Sequence, residues 1–269
     1  CNAVTNANAP FENDDVVLRT LEYAAGLGLT VVFYAEEHQI AKDGCVHEGF
    51  VASRQGLPMI PALAETIAIT KYLLMIEATG VRAHFGLLSC GASVALIKTA
   101  KEKGLPVTCD VAMHQLHLTD HLIDGFNTLA HVRPPLRSEQ DKHMLRQGLK
   151  DGVIDAICTH HEPLSSSAKM APFAETQSGF TAFDSYVPFG IQLITEGLFT
   201  PLEWVEKVTL APAKVANMLE RWQKEAGWVL VDPELKWTMT KDSMLSQGKN
   251  TPLINQSVTG KVIQTFFAD

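Results

Sequence analysis

The residues with the most chemical potential lie together. Ile154-Asp155-Ala156-Ile157-Cys158-Thr159 runs directly into His160-His161-Glu162-Pro163. An apolar run with polar residues at its C-terminal tip, followed by proline, is how a strand of a (β/α)8 enzyme delivers side chains to the catalytic face. Imidazoles and a carboxylate at such a tip could ligate a divalent metal or carry a proton, with Glu37 and His114 as further donors. The plainer alternative is a hydrogen-bonded or solvated histidine pair filling a disused pocket. It is favoured, because adjacent residues of a strand point to opposite sides. Cys158, inside the apolar strand, reads as packing rather than as a nucleophile. Arg133 could pair with Glu37 or Glu162 and seal the pocket, or could bind an anion. His114, His117 and His121 lack the HExxH spacing of a zinc helix and read as surface or loop residues. Ser165–Ser167 carries no nucleophile signature.

The elements that must position these residues alternate. Asp14–Leu27 is predicted as a helix, with apolar Val17, Leu18, Leu21 and Ala24–Ala25, closed by Gly26 and Gly28. Leu29–Tyr34 is β-branched and aromatic, hence a strand. Helices are predicted at 61–79, 92–103, 139–150, 181–196 and 202–218, and strands at 81–88, 107–111 and 153–159. Alternation of this kind implies a parallel sheet with helices outside, as a barrel or an open doubly wound sheet. No GxGxxG or P-loop appears, which weakens the nucleotide-binding version. From Trp228 the pattern changes, and 228–231, 237–240 and 262–267 are short strand candidates between turn residues. The reading is α/β, with the alternating elements over 1–219, to which the resemblance given below assigns a barrel, and a small β segment over 220–269 packed on them.

The chain of 269 residues is long enough for one large domain, and a net charge of −8 argues against nucleic acid or an anionic membrane surface as partner. Cys1, Cys45, Cys90, Cys109 and Cys158 are odd in number, irregularly spaced and without a CxxC pair. Reduced, mostly buried thiols in a cytoplasmic protein are expected. No apolar run reaches the roughly 18 residues of a membrane span. The chain opens on Cys1 at a loop, and sequence upstream is expected to be missing.

Several motifs together resemble the dihydroorotase branch of the amidohydrolases. They are Asn6-Ala7-Asn8-Ala9-Pro10, Glu36-Glu37, His84-Phe85-Gly86-Leu87-Leu88-Ser89, Thr108-Cys109-Asp110-Val111-Ala112-Met113-His114-Gln115-Leu116, and Arg133-Pro134-Pro135-Leu136-Arg137-Ser138. Asp151-Gly152-Val153-Ile154-Asp155 and the tail motifs Gly248-Lys249-Asn250-Thr251-Pro252 and Gly260-Lys261-Val262 complete the set. The resemblance spans nearly the whole chain. It implies an amidohydrolase-type (β/α)8 TIM barrel, seen from about its second strand, with part of a C-terminal β-sandwich.

Members of that family close N-carbamoyl-aspartate to dihydroorotate, and reopen it, at one or two zinc ions. The metal activates a water and an aspartate carries the proton. The resemblance places the bridging acid at Glu37, two ligating histidines at Leu87 and Gln115, and the catalytic aspartate at His160. The His-x-His of the first strand is absent from this chain. Leucine has no lone pair to offer, and glutamine is a poor zinc ligand. Of the substrate contacts, Asn6 is kept, while Arg133 and Leu164 stand where the family has asparagine and histidine. No catalytic residue, metal or cofactor is therefore expected; His160 and His161 are vestigial positions, as are Asn6, Arg133 and Leu164. The resulting expectation is a non-catalytic structural subunit of pyrimidine biosynthesis, assembling with the catalytic subunit of aspartate carbamoyltransferase. A homo-oligomer stays open. The alternatives are an active zinc-dependent dihydroorotase or related cyclic amidohydrolase with a remodelled site, and a ligand-binding module using Asn6 and Arg133 for a carboxylate.

Overall fold

The fold is that of a computed structural model, which describes residues 2–6, 11, 13–225 and 227–267. Cys1, Ala7 to Pro10 of the turn motif and the end of the 220–269 segment lie outside the described residues. The strands are β1 (Ala3–Thr5), β2 (Thr30–Tyr34), β3 (Val46–His47), β4 (Met59–Ile60), β5 (Ala83–Gly86), β6 (Val107–Ala112), β7 (Ala156–Cys158), β8 (Trp228–Thr238) and β9 (Ser257–Phe266). β1-β2-β5-β6-β7 form a five-stranded parallel sheet in that order, β3 pairs with β4, and β8 pairs antiparallel with β9. Its register sets Val31 against Ala83, Ala83 against Val107 and Asp110 against Ala156. All five strands therefore end at one rim, which makes that rim the place where side chains from separate parts of the chain converge.

Helices α1 (Asp14–Gly26), α2 (His38–Ala41), α3 (Phe50–Gln55), α4 (Leu63–Thr79), α5 (Gly91–Glu102), α6 (Glu139–Lys150), α7 (Phe183–Thr195), α8 (Pro201–Val208), α9 (Leu210–Val215) and α10 (Leu219–Glu225) complete the chain. The main core joins Val31 and Phe33 of β2, Phe85 of β5 and Val111 of β6 to Leu21, Ile69, Ile97, Leu145 and Leu193 on the helices. A second apolar cluster, with Val46, Ile123, Val132, Phe173 and Phe180, lies under the long loops. No helix among the described residues is long and apolar enough to cross a membrane.

Two family-like motifs act as fasteners. Ser138 Oγ accepts from Asp141 N at 3.1 Å, and Ser138 N donates to Asp141 Oδ2 at 3.3 Å, a capping box that starts α6. Asp141 Oδ1 also accepts from Gly91 N at 2.9 Å, tying α6 to the first turn of α5. Asp155 Oδ2 accepts from Lys101 Nζ at 2.7 Å and from Cys109 N at 2.8 Å, locking β7 beside β6.

Two expectations are corrected. The helix expected over 202–218 divides at Thr209 into α8 and α9. Pro212 has no N–H and is accommodated in the first turn of a new helix, not in the interior of a long one. The three short strands expected in the tail are two long ones. β8 runs through Asp232-Pro233-Glu234 with an irregularity between Asp232 and Lys236. There Asp232 Oδ1 accepts from Glu234 N and Leu235 N at 2.9 and 3.1 Å, and Pro233 needs no ladder partner. This pair packs on α7, where Gly260 (φ +93°) lets its backbone approach Ile191.

Candidate active site

At the rim lies a cavity of about 350 Å3, with Asn6, Glu36, Leu87, Arg133, Arg137 and Glu162 in its wall. Of the site positions named from the sequence, Asn6, Leu87 and Arg133 line it, whereas Glu37, His114, Gln115, His160, His161 and Leu164 do not.

Leu87 follows β5 in the left-handed region (φ +61°), and its N–H donates to Asp110 Oδ1 at 2.8 Å. The other oxygen of Asp110 meets His84 Nε2 at 2.8 Å, and His84 Nδ1 meets Thr108 Oγ1 at 2.8 Å. Burial opposes ionisation of Asp110, but the bonds from His84 and Leu87 outweigh it and hold its carboxyl below the usual range. This Thr108–His84–Asp110 chain sits inside the barrel wall, and nothing in the spacing of those residues marks it. Burial, with the Asp110 carboxylate next, pushes the Cys158 thiol well up, consistent with packing rather than nucleophilic use.

Glu37 does not face the cavity. It caps α2, and its carboxylate accepts from Lys71 Nζ at 3.2 Å. Glu36 lines the cavity instead. Arg133 Nε lies 3.1 Å from both of its carboxylate oxygens, and Arg133 Nη2 closes the fork. Of the roles left open for Arg133, pairing with a carboxylate is the one observed, but the partner is Glu36 and not Glu37 or Glu162. Neighbours leaving a strand point to opposite sides, and at this tip residue 36 is the inward one. Asn6 is engaged as a bracket between strands: Oδ1 accepts from Tyr34 N at 2.9 Å and Nδ2 donates to Tyr34 O at 3.3 Å.

Gln115 is buried, and its amide donates to the carbonyls of Pro134 and Pro135 at 3.2 and 3.1 Å. It staples the Pro-Pro loop to the turn after β6. His114 is not a surface residue: it is 1% exposed and packs on Phe180 and on the ring of His160, with centroids 4.9 and 5.6 Å away. His117 is likewise drawn inward, stacked on Phe189 at 4.1 Å, and burial lowers its pKa to about 3. Both surface assignments fail because the apolar Met113 and Leu116 pull this 3-10 turn into the core. His121 is exposed, as expected.

His160 and His161 diverge, but both lie past the end of β7, so strand alternation is not the cause. His160 has a left-handed backbone (φ +46°), and both ring nitrogens are buried without a hydrogen-bond partner; Glu162 Oε1 is 3.4 Å from Nε2, poorly aligned. His161 Nδ1 accepts from Ala182 N at 3.1 Å and Phe183 N at 3.2 Å, capping α7, while its ring stacks on Phe183. Leu164 N donates to Asn250 Oδ1 at 2.7 Å, fastening the loop after β7 to the tail.

Behind the cavity lies a buried network that sequence reasoning missed. Glu65, on α4, accepts from Ser89 N at 3.0 and 3.2 Å, from the Ser89 hydroxyl and from Cys90 N at 3.3 Å. Arg137 Nη2 lies 3.7 Å from Glu65, with Nε on Ser89 Oγ at 2.9 Å and Nη1 on Ile60 O at 2.9 Å. Ser89 of the His84–Ser89 motif and Arg137 of the Pro-Pro-Leu-Arg-Ser run were visible in the sequence, but the partner carboxylate, 72 positions before Arg137, was not.

The donor set does not fit a hydrolytic zinc. Among the described residues no three His, Cys, Asp or Glu side chains come together as metal ligands. Leu87 has no donor, Gln115 is engaged with carbonyls, Glu37 faces Lys71, and His160 and His114 are the donors left.

A family model described as dihydro-orotase-like matches residues 3–93. A "Dihydroorotase-like protein" of Pseudomonas aeruginosa is 40% identical over 98% of this chain and 63% of its own length. A dihydroorotase of Trichlorobacter lovleyi is 34% identical over 97% of this chain and 62% of its own length. The chain belongs to the dihydroorotase family. It spans a little under two thirds of the length of these family members. Solved structures share the dihydroorotase fold: a D-hydantoinase superposes with a TM-score of 0.84 at 22% identity, covering 98% of this chain and 62% of that one. A dihydroorotase of Saccharomyces cerevisiae in complex with 5-fluoroorotic acid gives 0.75 at 13% identity, covering 97% and 71%. The amidohydrolase barrel is therefore the fold, and the five parallel strands are an arc of its wall.

Proposed function

We propose that this chain is a non-catalytic dihydroorotase homologue that acts as a structural subunit, assembling with aspartate carbamoyltransferase in pyrimidine biosynthesis. The observation that carries the loss of catalysis is the engagement of the rim. The side chains at 37, 87 and 115 are salt-bridged, aliphatic and hydrogen-bonded to carbonyls, respectively. Arg133, forked onto Glu36, fills the mouth with a neutral pair. A barrel whose fasteners are intact while its ligand positions are reassigned is selected for its surface, and an obligate partner would stabilise it by mass action. Support for the particular partner comes from the family resemblance.

One observation favours the second reading, a metal-dependent cyclic amidohydrolase. The buried, unpartnered nitrogens of His160 and His114 are donors waiting for a ligand. Elemental analysis and dihydroorotate ring opening by the full-length protein decide between the readings. Absence of zinc and of turnover, with co-elution alongside aspartate carbamoyltransferase, is the expected result. About one zinc per chain with turnover lost in His160→Ala would establish the hydrolase. A chain that elutes alone beside the transcarbamoylase at micromolar concentration would remove the assembly role.

A further inference from the structure

The cavity at the rim is unbalanced in charge. Among the described residues, the carboxylates of Glu36, Glu65 and Glu162 and the guanidiniums of Arg133 and Arg137 line it. Both guanidiniums are taken. Arg133 is forked onto Glu36, and Arg137 lies 3.7 Å from Glu65 in the buried network. Glu162 is left over. Its main chain is fixed, because its N–H donates to Phe180 O at 2.9 Å and its carbonyl accepts from Asn250 Nδ2 at 2.9 Å. Its carboxylate has no lysine or arginine nitrogen within 4.0 Å among the described residues, and His160 Nε2, 3.4 Å away, makes no hydrogen bond with it. The Tyr34 ring, Leu87, Leu88 and Pro134 supply an apolar wall opposite these charges. Burial, with the Asp110 carboxylate next, pushes the Tyr34 phenol up, so that ring stays neutral.

We propose that this cavity binds a small organic cation, an amine whose ammonium lies against Glu162 and whose apolar body packs on Tyr34 and Leu87. The Glu162 side chain is 34% exposed, and a partly buried carboxylate attracts a monocation more strongly than one in open water. An aromatic face adds cation–π attraction. A cavity of about 350 Å3 with an apolar wall and few polar groups has the size and character of a small-ligand site. A carboxylate ligand is disfavoured for the complementary reason. It would have to draw Arg133 away from Glu36 and leave like charges facing each other. The chain's net charge of −8 acts in the same direction. The proposal rests on the non-catalytic reading, because a divalent ion at the rim would offset Glu162 and invite an anion instead.

Benzylamine, benzyl alcohol and benzoate share a ring and differ in charge, and their binding to the full-length protein tests the proposal. Ligand-observed NMR titration at about pH 8, above the ordinary histidine range and below that of an alkylamine, reads the affinities. Benzylamine is expected to bind with a Kd of about 1 mM or tighter, about tenfold better than benzyl alcohol, with benzoate weakest. Glu162→Gln should remove that preference and leave benzyl alcohol unchanged. Arg133→Met uncovers Glu36 and should tighten benzylamine about threefold. Affinity changes of opposite sign are not what impaired folding produces. Benzoate binding as tightly as benzylamine overturns the proposal. So does benzylamine that fails to bind at about 10 mM, or a preference for it that survives Glu162→Gln. Zinc in the same sample, measured by elemental analysis, would remove the non-catalytic reading and the proposal with it, whereas failure of the series in zinc-free protein removes the proposal alone.

Discussion

Glu65→Gln preserves shape and removes one charge from the network behind the cavity. Glu65 and Arg137 are 4 and 3% exposed, so the arginine would lose the carboxylate in direct contact with it. Its other contacts, Ser89 Oγ, Ile60 O and His47 Nδ1, are with neutral groups. His47 stays neutral because burial, and then the charge of Arg137 itself, lowers its pKa. Breaking a buried, hydrogen-bonded ion pair by removing one partner costs about 3–5 kcal/mol. In a domain of this size that corresponds to a fall in Tm of roughly 6–20 °C. Equilibrium unfolding in urea, followed by tryptophan fluorescence, reads the loss directly. Adding Arg137→Met to Glu65→Gln removes the uncompensated cation while keeping an acceptor for Ser89 and Cys90. The double variant should therefore recover part of the loss, with a coupling of at least about 1 kcal/mol. A Glu65→Gln protein within about 1 kcal/mol of the parent, or strictly additive substitutions, would refute the claim that this ion pair holds the rim together.

The salt bridge between Arg133 and Glu36 is partly exposed, so Arg133→Met should cost less than about 1 kcal/mol while opening the cavity, which urea unfolding and ligand-soaked diffraction would check. His161 caps α7 through an unprotonated Nδ1, and His161→Ala should cost about 1 kcal/mol at neutral pH. Burial lowers the His161 pKa below its ordinary value, so the cap contributes in full above about pH 6.5 and is lost as pH falls through the lowered value. The stability gap between the parent and His161→Ala should accordingly shrink in acid; a gap independent of pH would exclude the cap.

Much of this was legible along the chain. The bounds of α6 follow from Ser138 at its start and Asp151-Gly152 at its end, because a side-chain cap and a left-handed glycine are local devices. The divergence of His160 and His161, expected from strand alternation, occurs for another reason, since both lie beyond β7 and His160 has a left-handed backbone. What misled were positions where local pattern leaves two equivalent answers. Glu36 and Glu37 differ only in which one turns inward, and that phase is set by the pairing of β2 with its neighbours. His114 and His117 look polar in isolation, but they are carried inside by the apolar residues between and beside them.

The loss of a metal donor at position 87 is a property of residue type: leucine has no lone pair in any fold, and no structure was needed to establish it. At positions 37 and 115, by contrast, the side chains retain oxygen donors. Only the tertiary structure decided how these side chains are held: the Glu37 carboxylate accepts from Lys71, 34 residues away, and the Gln115 amide nitrogen donates to the Pro134 carbonyl, 19 residues away. Residue types are written in the chain, whereas the partners that engage them are chosen by packing, which brings together segments whose separation in sequence carries no record of the contact.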